Sequence, residues 1–361
     1  MILLKDCKLV VTLDYGKPLL RNEDILIENG FIAGIGIRDK SGEVISCNNL
    51  IVMPALINSF VRLEDPIKEL RKELAVKSLK LFLVSSLISG VSTIFSPLSR
   101  LREDALGIIK EIGLRLIPAG CNSQVVLIKF KDLLHNNTES FRCREECLKV
   151  IDVALTRREL FKVKNTTGLF PIEFIDEKGV MDENTIIVSP SWITNREIAL
   201  LAERRAKVIV CPGIEMYSGL GSFTPLKDIL EGGVKVGLGT YDPLFNLNMF
   251  EEAKLLLMYY RYNYWDMLWD ELKTLRLASL EGYRLFGINS GMVKEGMVAN
   301  LIGIDIGSTL ADLREIVNTF RGPVSFMMVV GNVISGDEIS KFILEKRILT
   351  QELNNRLDLT Q

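Results

Sequence analysis

Short runs of apolar and β-branched residues alternate with longer amphipathic segments from about residue 50 onward. This alternation is typical of βα units and predicts a parallel sheet. The predicted strands are IVMPALINSF (51–60), GVSTIFSP (90–97), LRLIPAG (114–120), QVVLIKF (124–130), ELFKVKN (159–165), NTIIVSP (184–190), AKVIVCP (206–212) and VKVGLGT (234–240). Eight strand–helix repeats predict an α/β fold of the (β/α)8 TIM-barrel type. Only CNS separates the third and fourth runs, which is too short for a crossover helix, so either the barrel is trimmed at its third βα unit or one irregular strand has been divided in two.

The two ends of the chain show a different pattern, in which short apolar runs are joined by turns. Near the N-terminus, Asn29-Gly30 separates two such runs and predicts a tight hairpin. Similar short strands return in NSGMVKEGMVANLIGID and PVSFMMVVGNVISG. We therefore predict a small composite β-sandwich domain from residues 1–50 and 290–345, a barrel over 51–289, and a C-terminal helical tail over 346–361.

Charge and cysteine content narrow the class of protein. The 361 residues include 44 basic and 46 acidic side chains for a net charge of −2, and the charges are interspersed. This balance lacks the basic surface of a nucleic-acid binder, so we expect no nucleic-acid partner. No apolar run reaches the roughly 20 residues that a membrane span requires, and we expect no membrane partner. Six scattered cysteines suit a reducing compartment, which favours a cytoplasmic location.

Several segments carry a family resemblance and occur along the chain in a consistent order. They are DILIENGFIAGIG, VMPALINSFVRLEDP, NTIIVSPSWITNREIALLAERRAKVIVCP, LKDILEGGVKVGLGTYDPLFNLNMFEEAKLLL and GMVKEGMVANLIGID. Together they resemble the amidohydrolase superfamily, in particular its cytosine deaminase and chlorohydrolase-like branch. The resemblance spans nearly the whole chain. It implies a barrel beside a composite β domain, hydrolysis of non-peptide C–N bonds, and a bound metal, usually zinc or iron.

The resemblance also implies where metal ligands would lie, and this chain carries other residues at most of those positions. They are Phe60 and Arg62 for the His-x-His of the first strand, the surroundings of Lys162 for the fifth-strand histidine, Ser189 for the sixth-strand histidine, and Asp242, displaced by one residue, for the eighth-strand aspartate. A slip of one residue on a strand turns a side chain to the opposite face unless a bulge restores it. The single histidine, His135, lies outside this set. From the sequence we therefore expect no metal cofactor.

The C-terminal ends of the strands, where barrel active sites lie, retain a group of polar candidates. The candidate catalytic residues are Asp242, Arg62 and Lys162, and the candidate substrate-binding residues are Glu64, Ser189, Glu215 and Tyr241.

Two hypotheses follow from these candidates. In the one we favour, the cations and carboxylates pair with one another, because unpaired buried charges are costly. The protein is then non-catalytic and retains the scaffold and a small-molecule pocket. In the alternative, it is a hydrolase or deaminase of non-peptide C–N bonds that works without a metal. Arg62 or Lys162 would then stabilise an oxyanion and Asp242 would act as general base.

A cluster of aromatic residues follows the eighth predicted strand, in the stretch LLLMYYRYNYWDMLW. Exposed aromatic side chains are enriched at protein interfaces. The stretch is therefore either a contact of a homo-oligomer or a helix that flanks the barrel with some apolar surface.

Overall fold

A computed structural model of the chain describes residues 1–37, 42–119, 125–134, 147–153, 156–219, 221–305, 307 and 312–358. The strands are β1 (Ile2–Cys7), β2 (Leu9–Val11), β3 (Leu19–Leu20), β4 (Glu23–Glu28), β5 (Phe31–Ile35), β6 (Glu43–Ser46), β7 (Ile51–Pro54), β8 (Leu56–Asn58), β9 (Val91–Pro97), β10 (Arg115–Ala119), β11 (Val125–Lys129), β12 (Leu148–Asp152), β13 (Thr185–Val188), β14 (Lys207–Val210), β15 (Val236–Leu238), β16 (Leu301–Ile304), β17 (Phe326–Val329) and β18 (Asn332–Ile334). The α-helices are α1 (Lys72–Ile88), α2 (Arg102–Ile112), α3 (Phe130–Leu134), α4 (Arg157–Thr167), α5 (Pro171–Glu177), α6 (Asn195–Glu203), α7 (Pro212–Tyr217), α8 (Leu226–Glu231), α9 (Met249–Tyr264), α10 (Glu271–Ala278), α11 (Leu280–Leu285), α12 (Leu313–Asn318) and α13 (Gly336–Asp358).

The predicted barrel is confirmed. Strands β8 to β15 form two parallel groups, ordered β10-β9-β8 and β11-β12-β13-β14-β15. Backbone hydrogen bonds join β8 to β15: Ser59 N donates to Leu238 O at 3.0 Å, and Arg62 N donates to Tyr241 O at 2.8 Å. The third and fourth predicted runs are separate strands, since β10 pairs with β9 and β11 pairs with β12. The closure between β8 and β15 brings residues that are about 180 apart in sequence to one point of the barrel rim.

The predicted small β domain is also present and draws on both ends of the chain. One sheet has the order β5-β4-β1-β6, and the other has the order β18-β17-β16-β7-β2-β3. The hairpin prediction is confirmed, because Asn29 and Gly30 adopt φ values of 51° and 84° and connect β4 to β5. Positive φ at both central residues is the geometry of the tight turn that matches strand twist.

The first predicted strand is divided between the two parts of the fold. Strand β7 pairs with β16 in the small domain, whereas β8 pairs with β9 in the barrel. Ala55 lies between them and donates its N–H to Asn300 O at 2.9 Å. The chain therefore passes from the small domain into the barrel within a single residue, which fixes the two parts against each other at this point.

The prediction of a fifth strand at ELFKVKN (159–165) is wrong, because these residues lie in helix α4. Thr156 and Glu159 form a capping box at the start of this helix, and Gly168, with φ 80°, follows its end. A capping box supplies hydrogen-bond acceptors for N–H groups that the first helical turn leaves free. The fifth barrel strand is instead β12, the segment LKVID, which pairs with β11 and β13.

The last helix, α13, packs its side chains against the barrel helix α1. Lys77 pairs with Glu352 at 2.7 Å, and Lys80 pairs with Glu345 at 2.6 Å. Within the described ranges, no helix combines the length and the apolar character that crossing a bilayer requires.

Candidate active site

A small cavity opens where β8 and β15 end, at the C-terminal side of the barrel. Its volume is about 290 Å³. It is lined by Arg62, Asp65, Pro66, Tyr241, Asp242 and Pro243. We call this cavity the mouth. Its position agrees with the general location of active sites in barrels of this type.

Arg62 is the centre of a hydrogen-bond network beside the mouth. Its guanidinium group donates to Asp152 through one terminal nitrogen, and to Asp65 at 2.5 Å through the other. It also lies 5.4 Å from the ring centre of Tyr241, whose hydroxyl donates to Asp152 at 3.0 Å. These contacts join the ends of β8, β12 and β15, so three strands position one buried ion pair.

Burial and neighbouring charges shift the pKa values of Asp152 and Arg62 in opposite directions. Burial raises the pKa of Asp152, and the neighbouring Arg62 guanidinium lowers it only in part. Burial lowers the pKa of Arg62, but Asp152, Tyr241 and Asp65 outweigh that effect and hold it above its usual range. Burial and Asp152 together raise the pKa of Tyr241. Arg62 therefore stays charged, and its buried Nε has no hydrogen-bond partner among the described residues.

Asp242 lies at the mouth but outside this network. It is half-buried, and its Oδ1 accepts a hydrogen bond from Leu244 N at 2.9 Å, which forms a local turn. The ion pair of Arg62 is made with Asp152 and Asp65. Tyr241 adopts φ 63°, so the backbone bends at the residue just before Asp242. This bend places both side chains on the wall of the mouth.

Two of the candidate residues are placed elsewhere by the structure. Lys162 is exposed on helix α4, because the segment predicted as a strand is helical. Glu64 is buried, and its carboxylate accepts hydrogen bonds from Ser99 N at 2.6 Å and Arg100 N at 2.8 Å. Glu64 therefore holds the loop that leads into α2, and neither residue lines the mouth.

Ser189 and Glu215 are buried in the barrel near the thiol of Cys211. Ser189 has φ 43°, and its buried hydroxyl lies beside the Cys211 thiol and the Glu215 carboxylate. The carboxylate of Glu215 accepts from Thr224 N at 2.8 Å and from its Oγ1 at 2.7 Å, and burial raises its pKa. Burial raises the pKa of Cys211 as well, and nearby carboxylates raise it further. These three side chains are polar, but none of them lines the mouth.

Asp152 is the residue of the network that sequence reasoning missed. The misassigned fifth strand placed the end of that strand near Lys162, ten residues too late. Two signals in the sequence mark the correct position: the apolar segment LKVID, and the Thr156-x-x-Glu159 spacing of a capping box immediately after it.

The residues at the mouth do not fit a zinc ion. Among the described residues, no group of three or more His, Cys, Asp or Glu side chains is arranged to hold a metal. A catalytic zinc needs about three such ligands. The guanidinium of Arg62 lies between Asp65 and Asp152 and would repel a cation there, and Phe60 is fully buried in the apolar interior. His135 lies outside the residues that the structure describes.

Comparison with known proteins shows that about nine-tenths of the chain is similar to proteins named as deaminases. It is 26% identical to a 5-methylthioadenosine/S-adenosylhomocysteine deaminase of Pyrococcus furiosus, over 91% of this chain and 94% of the relative. It is 24% identical to a 5'-deoxyadenosine deaminase of Methanothrix thermoacetophila, over 89% of this chain and 92% of the relative.

Solved structures share the fold at lower sequence identity. An adenosine deaminase from Xanthomonas campestris with bound zinc has a TM-score of 0.81 and 16% identity, and the match covers 98% of each chain. An atrazine chlorohydrolase from Arthrobacter aurescens complexed with zinc has a TM-score of 0.79 and 15% identity, and the match covers 97% of this chain and 100% of that one. These likenesses support the barrel and its small β domain.

Two expectations from the sequence are corrected by these comparisons. The favoured hypothesis of a non-catalytic protein is wrong, because the relatives that match along nearly their full length are named as deaminases. The expectation that the cofactor is absent is contradicted as well, because the solved neighbours are zinc-bound proteins. The residues at the mouth of this chain nevertheless do not fit that ion.

The family itself is established by a match over more than half of the chain. Residues 135–336 match the Amidohydrolase family, and this range includes β12 to β15 and the C-terminal half of the mouth. The fold, the order of the segments and the full-length relatives agree with this match. The chain belongs to the amidohydrolase family.

Proposed function

We propose that this protein is a deaminase that hydrolyses a non-peptide C–N bond, with a 5'-modified adenosine as its substrate class. The observation that carries the proposal is the similarity to 5-methylthioadenosine/S-adenosylhomocysteine deaminase over 91% of this chain and 94% of the relative. The position of the mouth at the C-terminal ends of the barrel strands supports it.

The reaction would replace the amino group of the purine ring with oxygen from water. Water adds to the ring carbon that bears the amino group and a C–O bond forms. One water proton ends on the adjacent ring nitrogen and the other on the amino group, and the C–N bond then breaks to release ammonia. The addition puts negative charge on the ring. Removing a proton from the attacking water and stabilising the ring charge are therefore the two tasks for groups at the mouth.

We assign these tasks to Asp242 and Arg62, which both line the mouth. Asp242 uses Oδ1 for its local turn, which leaves Oδ2 to accept a proton. Arg62 is held by Asp152 and Asp65, and its Nε has no partner among the described residues. Its fixed positive charge would stabilise the negative charge on the ring, and Tyr241 would hold the guanidinium in place.

The test is ammonia release by the purified full-length chain, measured with 5-methylthioadenosine, S-adenosylhomocysteine, 5'-deoxyadenosine and adenosine. We expect release from at least one of these substrates. We expect Asp242→Asn to lower kcat by about 100-fold or more, because loss of a general base typically costs 10² to 10⁴. No ammonia from any of the four, as purified and after addition of Zn²⁺, would overturn the proposal.

A matched control is available on the same chain. Asp266 forms the same kind of turn as Asp242, since its Oδ1 accepts from Leu268 N at 2.8 Å, but it lies in an exposed loop after α9. Asp266→Asn should leave kcat unchanged. Equal losses in the two variants would show that the loss is not specific to the carboxylate at the mouth.

Two further features of the proposal come from the sequence. A cytoplasmic location is our prediction from composition. A homo-oligomer is our prediction from the aromatic stretch, in which Tyr259 and Tyr260 are buried whereas Tyr262 and Trp265 are exposed.

A further inference from the structure

A second and larger cavity lies on the side of the barrel, next to the last helix. Its volume is about 720 Å³. It is bounded by the end of α1, the segment 243–248, the segment 321–323 and the middle of α13. We call it the lateral cleft.

The lateral cleft has a positive lining. Three cationic side chains line it, Arg321, Lys346 and Arg347, and none of its lining residues is Asp or Glu. Arg321 is held by Glu251 at 2.6 Å, so its charge is balanced. In the part of the chain that the structure describes, Lys346 and Arg347 have no ion-pair partner. Their charges are therefore available to an anion.

The rest of the lining suits an organic molecule better than a bare ion. Phe245, Leu247 and Ile343 supply apolar surface, and Ser89, Asn246 and Thr350 add polar side chains that are held in place by hydrogen bonds within the protein. Binding sites for small molecules commonly combine apolar walls with a few polar groups that fix orientation. The volume of the lateral cleft falls within the usual range of about 300 to 1,000 Å³ for such sites.

We propose that the lateral cleft binds a phosphate monoester whose phosphate contacts Lys346 and Arg347 and whose organic part lies against Phe245, Leu247 and Ile343. A planar guanidinium can donate two parallel hydrogen bonds to phosphate oxygens, and a lysine ammonium adds a compact positive charge. Together they suit a dianionic phosphate group. The site is distinct from the mouth. Direct binding does not depend on deaminase activity, so its failure and the failure of the proposed function are separable.

The lateral cleft shares one wall with the mouth. Pro243 lines both cavities, and it directly follows Asp242 in the chain. Asn248, at the far end of the same segment, caps α9 through Phe250 N at 3.0 Å and donates to Arg321 O at 2.7 Å. The segment 243–248 is thus fixed at its C-terminal end by the residues that form the lateral cleft.

The test is isothermal titration of the purified full-length chain with phenyl phosphate, followed by competition with inorganic phosphate and by titration with phenol. We expect one phenyl phosphate per chain, displacement by inorganic phosphate, and much weaker binding of phenol. Lys346→Gln and Arg347→Gln should each weaken binding by about tenfold or more, the usual effect of losing one charged hydrogen bond.

Lys341→Gln is the matched control, because Lys341 is exposed on the same helix but does not line the lateral cleft. It should change the affinity by less than about twofold, as expected for an exposed charge. The proposal is overturned if phenyl phosphate does not bind, if phenol binds as tightly, or if Lys341→Gln weakens binding as much as the two cleft variants. Circular dichroism establishes that each variant is folded.

Discussion

The buried ion pair between Arg62 and Asp152 is the feature of the mouth whose energetic role is most open to measurement. The side chain of Asp152 is 9% exposed and that of Arg62 is 27% exposed. Replacing one partner leaves the other charge unpaired and poorly solvated, whereas replacing both leaves no unpaired charge. We therefore consider Arg62→Met, Asp152→Asn and the double variant.

The expected magnitudes follow from this burial. Removing one partner of a buried pair costs 3 to 5 kcal/mol, and the partial exposure of Arg62 argues for the low end, about 3 kcal/mol for Arg62→Met. Asp152→Asn should cost less, because Arg62 keeps Asp65 as a partner. The double variant should be more stable than the sum of the single effects predicts, by about 1 to 2 kcal/mol.

The pH dependence of Arg62→Met gives an independent check. Burial already raises the pKa of Asp152, and loss of the guanidinium raises it further. When folding raises the pKa of a carboxyl group, that group stabilises the folded state at pH values below its pKa in the unfolded chain. The stabilisation is lost as the pH rises through its pKa in the folded protein. The penalty of Arg62→Met should therefore be smaller at acidic pH than at neutral pH.

Urea unfolding of the four proteins, followed by circular dichroism, measures these free energies. The exposed pair of Arg205 and Glu183 is the control, since its side chains are 81% and 66% exposed and 3.7 Å apart. Arg205→Met with Glu183→Gln should show a coupling below about 0.5 kcal/mol. If the coupling energy of Arg205 and Glu183 equals that of Arg62 and Asp152, burial does not strengthen the ion pair at the mouth, and our expectation is refuted.

Two further predictions concern the buried polar residues Glu252 and Asn58. Burial raises the pKa of Glu252 to about 8, so its contribution to stability should decline as the pH rises from 4.5 to about 8. At about 1.4 kcal/mol per pH unit, the decline amounts to at most about 5 kcal/mol, and Glu252→Gln should remove it in urea unfolding measured across this range. Asn58 is buried and joins β8 to the end of β15, donating to Thr240 Oγ1 at 2.8 Å and accepting from Thr240 N at 3.2 Å. Asn58→Ala should lower the free energy of unfolding by about 1 to 3 kcal/mol, and a change below about 0.5 kcal/mol would argue against this role.

The misplaced fifth strand shows how local pattern can mislead. Residues 161–164 of ELFKVKN alternate apolar and polar as in a strand, but the segment lies between a capping box at Thr156 and a helix-ending Gly168. Burial of Leu160 and Val163, three residues apart, is the helical pattern that the structure selects. Tertiary contacts decide such short ambiguous segments because propensity differences are small.

The sequence by itself determined the barrel, the small β domain drawn from both chain ends, and the family, because these follow from long-range repetition of hydrophobic patterns and turns. It also placed Arg62, Tyr241 and Asp242 at the barrel rim, since each directly follows a strand or its extension. Only the tertiary structure decided which charges meet. Asp152 pairs with Arg62 across 90 residues of chain, and the lateral cleft is formed by segments from four parts of the sequence. Side-chain pairing at a barrel rim depends on distances of a few ångströms between separate strands, and no local pattern in the chain encodes them.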